Sequence, residues 1–135
     1  MKRLVDEFGW NAGKVWNILS TKGPLREDAL LHNTKLSEDE LWTAIGWLAR
    51  ENKICKEHNM YKLGQTNLTQ KVGTDAGKVW DIVAKQGEID VSTIAKITQI
   101  TEVDAYCALG WLARENKVEC KKLKTKEPKI RVTLK

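Results

Sequence analysis

The eight residues GWLARENK occur twice, at Gly46–Lys53 and at Gly110–Lys117, and their placement decides the fold. Each copy follows a stretch with helical periodicity and precedes a short, lysine-rich, β-branched one. A second echo, AGKVW, stands at Ala12–Trp16 and Ala76–Trp80. Both echoes are offset by 64 residues, so the helical parts of the two halves align without a gap. A period this long, present only twice, implies two tandem domains and not a solenoid array.

Working outward from the octapeptide, each half has the same order of elements. Ala12, Val15, Trp16 and Leu19 fall at i, i+3, i+4, i+7, one face of an amphipathic helix, and Ala76, Val79, Trp80 and Val83 repeat it. Asn11 and Asp75 are read as the N-caps of these helices, with Phe8 packed onto the first, and Gly23 and Gly87 as their stops. Minimal strands follow at Pro24–Leu25 and Glu88–Asp90, then short helices over about Arg26–Asn33 and Val91–Ile97.

A third helix opens at Ser37, where Glu40 three residues on completes a capping box; Thr101 with Asp104 is a weaker version. It ends near Asn52 or Asn116, residues that tolerate a left-handed cap. Ile54–His58 and Val118–Lys122 then have strand character. Asn59 turns the first into Met60–Leu63. A longer turn over Lys124–Pro128 leads the second into Lys129–Leu134, where Ile130, Val132 and Leu134 alternate. The expected domains are residues 1–63 and 74–135, with the polar stretch 64–73 (GQTNLTQKVG) as linker.

Helix, short strand, helix, turn, helix, hairpin is the order of a winged helix-turn-helix. AGKVW, a glycine soon after it, and a third helix ending in AIGWLARENKI or ALGWLARENKV resemble the winged helix-turn-helix family of unknown function in bacteria and archaea. The resemblance covers Trp10–Leu63 and Thr74–Val118. It implies an α+β, mainly helical fold of two tandem winged helix-turn-helix domains. It brings no substrate, cofactor or catalytic residue with it.

Composition bounds the function. The 135 residues are 41% hydrophobic with six tryptophans, which suits two small packed cores. No run approaches the roughly 18 apolar residues of a membrane span, and the start, MKRLVDEF, lacks the apolar region of a secretory signal. Three cysteines with no CxxC pair fit reduced thiols and a cytoplasmic setting. Gly13-Lys14 and Gly77-Lys78 do not form a phosphate loop, because that loop needs the spacing GxxxxGK after a strand. Cys55 and His58 have metal-like spacing, yet Cys107, Cys120 and His32 supply no second pair, so neither a metal nor a cofactor is expected. Two unduplicated histidines and no nucleophile–base motif point away from an enzyme, and no small-molecule substrate is evident.

The net charge of +5 is concentrated: residues 117–135 carry eight basic and two acidic side chains. Lys117, Lys121, Lys122, Lys124, Lys126, Lys129 and Arg131, with Lys135, lie on the predicted second wing. There they would meet the phosphates of double-stranded DNA, as in a transcription regulator. The third helices are poorer DNA readers, because Glu38, Asp39 and Glu40 occupy the N-terminal turn that would meet base edges.

The outward stripe of that helix is Asp39, Thr43, Gly46 and Arg50 in the first half, and Val103, Cys107, Gly110 and Arg114 in the second. Trp42 and Trp47, or Tyr106 and Trp111, flank it. Mid-helix glycines cost about 1 kcal/mol relative to alanine, so two of them suit close approach of another backbone. The residues Trp42, Gly46, Trp47, Arg50, Tyr106, Gly110, Trp111 and Arg114 therefore form a second candidate surface. It would face the other half, a second copy in a homodimer, a separate protein partner, or only its own wing.

Overall fold

The computed structural model describes residues 3–123 and 129–135. Its elements repeat in order: α1 (Leu4–Lys22), β1 (Leu25–Arg26), α2 (Glu27–Thr34), α3 (Glu38–Arg50), β2 (Ile54–Glu57) and β3 (Met60–Leu63). Then follow α4 (Thr69–Gln86), β4 (Ile89–Asp90), α5 (Val91–Thr98), α6 (Glu102–Arg114), β5 (Val118–Leu123) and β6 (Lys129–Leu134). Each half folds its three strands into one antiparallel sheet, ordered β1-β3-β2 and β4-β6-β5. The fold is α+β, mainly helical, a winged helix-turn-helix in duplicate. No helix among the described residues is long and apolar enough to cross a membrane.

Local chemistry sets the element ends. The Ser37 hydroxyl accepts from the Glu40 amide at 3.3 Å while the Glu40 carboxylate accepts from the Ser37 amide at 2.9 Å. Thr101 caps α6 through the Asp104 amide at 3.0 Å. Asn52 and Asn116, both at φ +61°, end the third helices in the left-handed region. His58 and Asn59, at φ +52° and +63°, form the tight hairpin turn of the first wing.

The first helices differ from expectation. Asn11 and Asp75 are not N-caps: α1 begins seven residues before Asn11 and α4 six before Asp75, and both side chains are buried within their helices. The apolar stripe runs further upstream than the expected start at Ala12: Val5, Phe8, Ala12, Val15 and Leu19 are spaced 3, 4, 3, 4 and all buried. Gly9 and Gly73 interrupt the pattern but not the helix. A Cβ on Gly9 would lie 2.9 Å from the Trp47 ring, so glycine there admits the tryptophan. The helix propensity lost at Gly9 is offset by tertiary contact. Residues 69–73, expected in the linker, are the first turns of α4.

Those upstream turns tie the halves together. Val5 and Phe8 of α1 belong to the apolar core built around α4, α6 and β5. Val72 of α4 belongs to the core built around α1, α3 and β2. Each first helix therefore starts on the opposite half and ends on its own. Phe8, expected to pack onto the first helix, is itself part of that helix and packs on the opposite half.

Candidate functional site

The two third helices pack on each other through the stripe that carries the glycines. A Cβ on Gly46 would lie 1.8 Å from the Cys107 carbonyl oxygen, and one on Gly110 would lie 2.0 Å from that of Thr43. Only glycine at both places lets the backbones meet so closely. Trp42 stands beside its counterpart Tyr106, ring centroids 6.0 Å apart. At the other end, Arg50 reaches Glu115 at 3.1 Å and Arg114 reaches Glu51 at 3.1 Å. Contacts between like ends show that α3 and α6 run in the same direction, related by a pseudo-twofold axis.

The same guanidinium groups also cover tryptophans. Arg50 lies 5.7 Å from the centroid of Trp111 and Arg114 5.9 Å from that of Trp47, positions suited to cation–π attraction. All eight residues of the second candidate surface thus meet inside one chain. Thr43 and Cys107 are buried there as well, with the Thr43 hydroxyl donating to the carbonyls of Asp39 and Glu40. Burial pushes the Cys107 thiol up to about 12, and Cys120 likewise, so neither is a ready nucleophile.

The basic residues of the second wing are arranged less uniformly than their spacing suggests. The hairpin pairs Lys121 with Arg131, Lys122 with Ile130 and Leu123 with Lys129. Lys121, Lys122, Lys129 and Arg131 are exposed. Arg131 has Glu88 at 3.8 Å, Lys117 has Glu115 at 3.5 Å, and Lys135 has Glu119 at 3.7 Å. Exposed pairs of this kind contribute about 0–1 kcal/mol and exchange readily for another anion. Lys124 and Lys126 lie outside the described residues.

Beneath Lys122 is a cavity of about 250 Å³ between the start of α1, the start of α3 and the second wing. Asp39 lines it, and its pKa is raised, first by burial and against a hydrogen bond from Tyr106. The Tyr106 hydroxyl is itself pushed upward by burial and then by the Asp39 charge. No signal in the sequence marks Glu7, Asn11 and Asp39 as neighbours. None could, because that proximity depends on the upstream turns of α1. Glu51 and Glu115 were also missed as partners of the arginines, although both lie in the repeated octapeptide.

Among the described residues no cluster of histidine, cysteine or acidic side chains could hold a metal ion. No curated protein matches the chain. A model of the winged helix-turn-helix domain family DUF2582 matches it twice, over residues 1–64 and 67–133. Together these matches span nearly all of the sequence, and the break between them falls between β3 and α4, where one half of the fold gives way to the next. The chain belongs to the winged helix-turn-helix domain family DUF2582, as two tandem copies in one polypeptide.

Proposed function

We propose that the chain is a non-enzymatic, cytoplasmic, regulator-like protein that holds the phosphate backbone of duplex DNA with its second wing. The supporting observation is a difference in charge between two hairpins of the same topology. The second, over residues 117–135, carries eight basic and two acidic side chains; the first, over residues 53–63, carries three and one. In the first wing Lys62 is spent on Glu57 at 3.0 Å and Lys56 lies over the Tyr61 ring. In the second wing Lys121 has no anionic side chain within ion-pair distance among the described residues, which suits a phosphate contact.

The geometry also limits the kind of DNA contact. A helix-turn-helix reads bases by laying its last helix in the major groove. Here the outward faces of α3 and α6 are covered by each other, and their first turns carry Glu38, Asp39, Glu102 and Asp104. Binding through the wing alone is therefore electrostatic and indifferent to sequence. A separate protein partner docking on the glycine faces would have to part the two halves first.

The reading is tested by titrating a mixed-sequence duplex at several salt concentrations. Affinity should fall steeply with salt, and the double substitution Lys121→Ala, Lys129→Ala should flatten the log–log slope by about 2, roughly 0.9 per lost phosphate contact. Absence of binding at about 50 mM salt would remove the proposal.

A further inference from the structure

The cavity beneath Lys122 has a counterpart in the other half that is already filled. In the second half the Lys71 ammonium lies 2.9 Å from the Asp75 carboxylate and 3.1 Å from that of Asp104. The carboxylate of Asp75 is nearly fully buried, so the lysine neutralises a charge that would otherwise be costly to enclose. Sixty-four residues earlier, the same three places hold Glu7, Asn11 and Glu40. An acidic side chain, Glu7, stands at the place of the ammonium, and all three residues line the cavity.

Three features of this cavity point to a ligand. Among the described residues, Glu7, Asp39 and Glu40 line it against a single cation, Lys122. Asn11, only 6% exposed, also lines it, and its amide forms no hydrogen bond to any described residue. No buried polar side-chain atom in the described residues is both sealed from solvent and unpartnered, so the Asn11 amide opens on the cavity's free space. Phe8 and Ile130 supply an apolar wall.

We infer that this cavity is a binding site for a small organic cation, a primary amine carrying an apolar body, with its ammonium placed where Lys71 places its own in the second half. The ammonium donates to the Asn11 side-chain oxygen and to the Glu40 carboxylate, beside the charge of Glu7, while the apolar body lies against Phe8 and Ile130. The volume, about 250 Å³, is at the small end of ligand cavities, which commonly start near roughly 300 Å³, and so selects a small molecule. Because Lys122 closes the cavity from the wing side, an occupant would lie directly under that hairpin. The inference is independent of DNA binding and stands or falls apart from it.

The test follows the Asn11 side-chain amide by NMR in the full ¹⁵N-labelled chain, with phenethylammonium as probe. Its neutral analogue 2-phenylethanol and its anionic analogue 3-phenylpropionate serve as controls. The expected result is a saturable shift at the Asn11 amide with the amine, and binding at least about tenfold weaker for the alcohol and the acid. Glu7→Lys rebuilds the second half's arrangement on an exposed position of α1. It should weaken amine binding by at least about tenfold while resonances of α4 to α6 stay in place. No saturable shift at Asn11, equal binding of the three probes, or undiminished binding by Glu7→Lys would each overturn the site.

Discussion

Lys71 in one half and Glu7 in the other occupy the same place on the first helix with opposite charge, and the two wings differ in charge as well. Where the ends of the third helices touch they do not differ: the octapeptide that begins at Gly46 is letter for letter the one that begins at Gly110. The contact explains the contrast. Across a pseudo-twofold axis a residue meets its partner's counterpart, so Arg50 needs Glu115 just as Arg114 needs Glu51, and one glycine approaching a backbone needs the other. A change in either copy would be felt on both sides of the axis. Positions that face solvent or the cavity carry no such reciprocal demand, and these are where charge has diverged.

The most damaging way to break the comparison is at its axis. Gly46→Ala places a Cβ 1.8 Å from a backbone oxygen, which no side-chain movement relieves. We expect a loss of about 4 kcal/mol in urea unfolding, at the upper end for single substitutions. Gly13 and Gly77 are the contrasting case, since they also sit inside helices but a Cβ there meets nothing within 4 Å. Alanine at either should stabilise by about 1 kcal/mol. If Gly46→Ala is as mild as Gly13→Ala, the helices do not meet as described.

The crossing of the first helices gives the next largest effect. Phe8 is buried in the core of the opposite half, so Phe8→Ala should cost about 3 kcal/mol. The telling measurement is where the damage goes. Amide exchange should accelerate at Val118 and Cys120 of β5 before it does at Ile54 of β2. Acceleration confined to β2 and β3 would mean that each helix serves only its own half.

These two sites also show how far the sequence could be read. The repeat, the capping box at Ser37, the left-handed Asn52 and Asn116 and the alternation in β6 are local signals, and local signals survive without coordinates. The glycine stripe was visible as a propensity cost without an obvious return, but what covered it was a question of tertiary geometry. The start of α1 was lost because Gly9 and the charged residues Asp6 and Glu7 look like a helix boundary. The buried side of those turns, Val5 and Phe8, packs on the core of the opposite half, which begins only at Ala76. The cavity depends on that same stretch, so Glu7 and Asn11 could not be joined to Asp39 and Lys122 from spacing alone.

The smallest expected effect concerns Asp39, which has valine, Val103, as its counterpart in the second half. Burial raises its pKa above the ordinary aspartate value of 3.8, so the folded state holds the proton more tightly than the unfolded one. The associated stability is therefore complete below 3.8 and is lost as pH rises through the raised folded value. Asn at this place never ionises and keeps an oxygen to accept from Tyr106. Asp39→Asn should thus match the parent chain in acid and exceed it at neutral pH, by less than about 1 kcal/mol. Urea unfolding at a series of pH values reads the difference directly. A variant less stable than the parent at neutral pH would show that the Asp39 charge is held by a favourable partner, Lys122 or Tyr106, more strongly than burial opposes it. The two halves would then differ at this position because the first half needs the charge.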